Sequence, residues 1–173
     1  DKKYIASQGE LANMEAAETF ARYSGIESGK TLRLTWWAKP FPGNFGDWLS
    51  PLIVSHYSKA KIIIHSPTKP TGKKHLIALG SIGRFIQSSA VVLGTGISTD
   101  DVQLSRKASY VSVRGPLTAG ALKAAKGPEV TAFGDPGIVI SKIFPVKRNK
   151  TNGRGVLVRH FSHSSANLKL PSK

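Results

Sequence analysis

Apolar positions along the chain fall into two kinds of pattern, one with helical spacing and one of short unbroken runs. Between residues 8 and 23, Leu11, Met14, Ala17, Phe20 and Ala21 recur at helical spacing, and Gly25 is placed to end that helix. Residues 31–38 read as a strand and the Pro/Gly-rich stretch 39–46 as a loop. Asp47 then reads as the N-cap of a helix carrying Leu49, Ile53 and Tyr57, with Pro51 in its first turn. Apolar runs follow at 62–65, 76–79, 91–93, 110–113, 130–133 and 156–158. Most are nearly continuous in Val, Ile and Leu, as expected for strands covered on both faces. Helical stretches such as 117–125 lie between several of them. This alternation predicts an α/β fold: a Rossmann-like, mainly parallel sheet with flanking helices.

Size limits how much of such a fold is present. With 173 residues, 40% of them hydrophobic, the chain suffices for one well-buried domain and is short for two. The expected organisation is an N-terminal Rossmann-like domain over 1–143, a basic linker punctuated by Pro and Gly over 144–155, and the start of a truncated second domain over 156–173. The last assignment follows because a lone strand cannot bury its own faces. No apolar run reaches the roughly 18–20 residues that span a bilayer. The absence of cysteine removes disulfides, thiolate metal sites and a cysteine nucleophile, and fits a reducing compartment; the expectation is a cytoplasmic protein.

Charge changes the picture of the partners. The net charge is +15, and from Lys142 onward Lys142, Lys147, Arg148, Lys150, Arg154, Arg159, Lys169 and Lys173 are accompanied by no acidic residue. Such a balance concentrates anions of many kinds: nucleic acid, phosphorylated small molecules, acidic glycans or an anionic leaflet. Nucleic acid is not the expected partner, because most basic residues are scattered and no aromatic-basic stacking signature or helix-turn-helix spacing accompanies them.

Ligands of an open parallel sheet gather beyond the carboxyl ends of its strands, so the strand-to-loop junctions are the candidate sites. In the segment 110–118, strand residues Val111 and Val113 bring Arg114 to the strand end, Gly115 permits a sharp turn, and Pro116 suits the first helical position. A guanidinium beside free N–H groups at a helix start forms an anion site, although a plain surface arginine has the same local sequence. At 43–49, Asn44 offers both donors and an acceptor, Gly46 lets a ligand approach the backbone, and Asp47 is either a cap or a functional carboxylate. Asp135 in the turn 134–137 again reads first as a cap. The glycine turns with Gly80 and Ser81, and with Gly94 and Gly96, match neither a dinucleotide fingerprint nor a Walker loop. No metal-ligand cluster, nucleophile elbow or paired carboxylates of glycoside hydrolysis are present, so metal-free and cofactor-free transfer chemistry is expected. His56, His65 and His75 read as solvated or structural, whereas His160 and His163 follow the last strand and are candidates for a general acid or base.

Taken in order, Asn44-Phe-Gly-Asp-Trp-Leu, the glycine turns at Gly80 and at Gly94 to Gly96, Val113-Arg-Gly-Pro-Leu-Thr, and Gly134-Asp-Pro resemble the successive signatures of the polysaccharide pyruvyl transferase family, across about residues 31–144. The resemblance implies one half of a GT-B-like two-domain architecture, phosphoenolpyruvate as donor substrate, and a glycan or lipid-linked oligosaccharide as acceptor. It implies a pyruvate ketal as product and peripheral association with the inner face of a membrane. Arg114 would match the family's arginine for the donor's phosphate or carboxylate, with Asn44 and Asp47 in the same cleft. The family's acid histidine comes from the C-terminal domain, and His160 is the position here that would stand in for it. A nucleotide-sugar-dependent glycosyltransferase of the same architecture and a non-catalytic module for anionic glycans are the competing readings.

Overall fold

A computed structural model of the chain describes residues 29–37 and 44–145. Five strands form one all-parallel sheet in the order β2-β1-β3-β4-β5, where β1 is Thr31–Thr35, β2 Lys61–His65, β3 His75–Ile77, β4 Ala90–Leu93 and β5 Ser109–Ser112. Helices α1 (Phe45–Ser58), α2 (Pro116–Ala124) and α3 (Ile140–Ile143) and two 3-10 turns, Gly83–Phe85 and Pro136–Val139, complete the described elements. The fold is thus a Rossmann-like α/β fold with flanking helices. Val113 and Phe133 add a single parallel bridge beyond β5. Among the described residues, no helix is long and apolar enough to cross a membrane.

Side chains of successive strand residues alternate between faces, and the core divides accordingly. Leu34, Trp36, Ile53, Val54, Ile62, Ala78 and Leu79 form one cluster, under α1 and α3. Ile77, one residue before Ala78, belongs to the other, with Val92, Val113 and Leu122 of α2. No α-helix joins β2 to β3, β3 to β4 or β4 to β5 among the described residues; Ile82, Ile86, Val102 and Leu104 of the connecting loops bury their side chains over the second face instead. Double cover explains why the inner strand β3 reads as an unbroken apolar run, whereas Ile63 of β2 and Val111 of β5, on the edge strands, stay exposed. Leu34 is fully buried, and truncating such a side chain to alanine costs about 2–5 kcal/mol.

Several boundaries differ from the sequence pattern. Pairing of β1 stops at Thr35, because Trp36 and Trp37 leave the ladder; Trp36 packs edge-on against Trp48, with ring centroids 4.6 Å apart, and so fixes the start of α1 over the end of β1. The run 130–133 makes the one bridge at Phe133 and no ladder. Asn44, not Asp47, is the N-cap of α1, its side chain accepting from the N–H groups of Gly46 at 2.8 Å and Asp47 at 3.3 Å. Pro51 consequently lies beyond the first turn, where it has no N–H to offer the Asp47 carbonyl. The predicted helix at 8–23, the strand at 156–158, most of the linker, and His160 and His163 lie outside the described residues.

Candidate functional site

Strand order reverses between β1 and β3, which both neighbour each other and lead outward to opposite sheet edges, and the crevice beyond their carboxyl ends is where this topology places a ligand. A cavity of about 710 Å³ opens there. Its walls include Asn44, Gly46 and Asp47 from the start of α1, Gly80 and Ser81 after β3, Arg114 after β5, and Asp135. Seven sequence-selected positions between residues 44 and 135 would not meet by local structure alone; the parallel register brings their strand ends to one edge. Volumes of about 300–1,000 Å³ are usual for small-molecule sites.

Arg114 is held in place. One terminal nitrogen donates to Ser81 Oγ at 2.8 Å and the other to the Ile97 carbonyl at 2.9 Å. A guanidinium carries five N–H donors, so the remainder stay available to an anion in the cavity. The side chain lies directly over Gly96, where any Cβ would collide with the guanidinium. It therefore reaches across the loops after β4 and β3. Gly115 and the first turn of α2 do not line the cavity, contrary to an anion seat built on that helix start. Nor does Gly115 make a sharp turn: at φ −174° it is extended, and a Cβ there would meet open space.

The glycine turns serve in the same way elsewhere. Gly80, at φ +90°, occupies a left-handed conformation, and a Cβ on it would stand 2.5 Å from Asp47 Oδ1. Gly94, at φ +88°, is covered by Pro136. Neither Gly94 nor Gly96 lines the cavity; both are seats on which other residues rest. The turns are also tied together. Gly96 N–H and Thr95 Oγ1 both donate to the Gly80 carbonyl, at 3.0 and 2.9 Å, Gly83 N–H donates to Gly96 at 2.8 Å, and Arg114 N–H to Thr95 at 3.1 Å.

Asp47 lines the same cavity, with its carboxylate against Gly80. It is half-buried, no hydrogen bond reaches its carboxylate among the described residues, and burial raises its carboxyl above the ordinary value. Asp135 lines the cavity but caps the 3-10 turn, accepting from Gly137 N–H at 2.8 Å. Four wall residues carried no motif in the sequence: Ser98, Arg84, which donates to Thr99 Oγ1 at 3.2 Å, and the stacked pair Trp37 and Phe85. The junction logic could have found Arg84 and Phe85, since both follow β3; Trp37, two residues past β1, was read as strand.

The histidines within the described residues lie away from the cavity. His75 is buried, its Nδ1 3.0 Å from the Lys73 carbonyl, and its ring is 5.6 Å from that of His65; burial, foremost, lowers its pKa. No group of three or more potential metal-ligating side chains occurs among the described residues. No family model matches the chain, and no curated protein or solved structure matches it.

Proposed function

We propose that the chain carries the donor-binding half of a polysaccharide pyruvyl transferase, taking phosphoenolpyruvate in the cavity and transferring its pyruvyl group to glycan hydroxyls as a ketal. The observation that carries the reading is Arg114, pinned by Ser81 and Ile97 at the cavity wall with donors to spare. A small dianion suits such a fork, and Arg84 adds a second cation to the same walls. Placement at the strand ends, together with the ordered motifs through Gly134-Asp-Pro, supports one half of a GT-B-like architecture over other uses of a basic cleft.

In this reading the arginines hold the phosphate and stabilise it as it departs. A histidine acid, at His160 or in a further domain, protonates the methylene carbon of the enol. A sugar hydroxyl then bonds to the central carbon, phosphate leaves with the C–O bond that held it, and a second hydroxyl of the same sugar bonds to that carbon to close the ketal. The hydroxyl protons go to a nearby base, a role that fits the Asp47 carboxylate, which no hydrogen bond reaches among the described residues. Acceptors linked to lipid would bring the chain to a membrane surface.

Thermal-shift titration tests the donor. Phosphoenolpyruvate should stabilise the protein, and Arg114→Ala should abolish the shift. Stabilisation by nucleotide sugars alone would replace the reading with glycosyl transfer. Salt-sensitive binding to anionic glycans that survives Arg114→Ala, with no response to phosphoenolpyruvate, would replace it with a non-catalytic module.

A further inference from the structure

Three residues of the cavity lining, two aromatic and one acidic, do not suit an anion. We infer that Trp37, Phe85 and Asp47 form a seat for a pyranose ring, in the same cavity as the cations Arg84 and Arg114. Calling that sugar the acceptor rests on the transfer reading above; the seat itself rests on its own geometry.

Trp37 and Phe85 stack with ring centroids 5.2 Å apart and planes inclined by 23°, and both are half-buried against the core under the second sheet face. Packing against the core fixes the rings, so the aromatic groups that line the cavity are apolar and already ordered. Pyranosides have the complementary form: one face of C–H groups and a rim of hydroxyls. Asp47 supplies the partner for the rim. An ionised carboxylate only accepts hydrogen bonds, and this one has no donor among the described residues. Hydroxyl groups are donors of the required kind, while a phosphate would be repelled.

Asn44 completes the edge. Its carbonyl oxygen is committed to Gly46 and Asp47, which leaves the amide nitrogen to donate to a sugar oxygen. A pyrimidine base would also match aromatic rings, and uridine therefore serves as the comparison in the test. The cavity, at about 710 Å³, has room for a monosaccharide beside a small anion.

Saturation-transfer NMR on the full chain, with the methyl pyranosides of glucose, galactose and mannose as probes and uridine as comparison, tests the seat. The expected result is transfer to the C–H protons of one pyranoside face, with affinity reduced about tenfold by Trp37→Ala and severalfold by Asp47→Asn. Phe85→Leu, which keeps an apolar core residue, should weaken binding as well and covers the case in which Trp37→Ala does not fold. No transfer to any pyranoside, transfer indifferent to these changes, or stronger transfer to uridine would overturn the inference. Phosphoenolpyruvate is titrated separately: pyranoside binding without any phosphoenolpyruvate response leaves the seat standing and removes the transfer reading, and the reverse result removes the seat alone.

Discussion

Helices α1 and α2 both begin at the carboxyl edge of the sheet, yet their first turns are built in opposite ways. At α1 the Asn44 side chain satisfies the N–H groups of Gly46 and Asp47, and Asp47 places a carboxylate in the first turn. At α2 no side chain caps the helix, Pro116 removes one donor, and the first turn has no acidic residue. A helix start carries partial positive charge, which the carboxylate offsets at α1 and nothing offsets at α2. Arg114, the residue before the α2 cap, adds a full charge on the same side. The two helix starts thus differ in charge, acid in the first turn of α1 and cation just before α2, while Arg84 after β3 and Asp135 beyond β5 bring the other sign to the same cavity.

The severest way to break this contrast is to remove its cation. Arg114→Ala should weaken phosphoenolpyruvate binding about 100-fold, as expected for loss of charge-assisted hydrogen bonds, when measured by calorimetric titration. Gly96→Ala attacks the same pole without touching its charge. The new methyl displaces the guanidinium from its seat, and an affinity loss of about tenfold with the fold intact is expected. Unchanged affinity would show that the seat does not position the side chain.

Changes at α1 act on stability first. Asn44→Ala should cost about 1 kcal/mol, read as a lower Tm, with Asn44→Asp retaining most of the cap. Asp47→Asn should act in the other direction. Burial raises the Asp47 pKa, so this group's stabilising contribution is complete below the unfolded pKa and lost as pH rises through the folded one. Asp47→Asn should therefore raise Tm at neutral pH, and the gain should shrink as pH falls below the ordinary carboxylate range; a gain independent of pH would refute the assignment. The smallest effect belongs to Gly115→Ala. An extended backbone facing open space accepts a methyl group, and the change in stability should stay within about 0.5 kcal/mol.

The parallel sheet was legible because double burial leaves a local trace, unbroken Val/Ile/Leu runs. Arg114, Asn44, Asp47, Gly80, Ser81 and Asp135 were legible as strand-end positions, and the fold gathers them at one cavity. What the local pattern could not carry was the use of the glycines. Gly96 is needed for a side chain 18 positions further on, and Gly80 for one 33 positions earlier, contacts that exist only once the strands are paired. Their sequences match no phosphate-binding fingerprint, and the physical requirement is space for Arg114 and Asp47. The cap of α1 was misread for a simpler reason. Asn44 and Asp47 are both good capping residues, and an additional turn of helix favours the earlier one.

Resting a charged side chain on a glycine has a consequence for how these positions can change. Substituting Gly96 or Arg114 alone disturbs an occupied contact, but Gly96→Ala introduced into Arg114→Ala meets no guanidinium and loses most of its effect. Gly80 differs, since its positive φ keeps a cost even after Asp47 is shortened. A double-mutant cycle at 96 and 114 should accordingly show strong coupling and one at 80 and 47 only partial coupling. The two sides of the site, alike in being a side chain over a glycine, would then differ in how freely they can be rebuilt: one exchanges as a pair, and the other is anchored by its backbone.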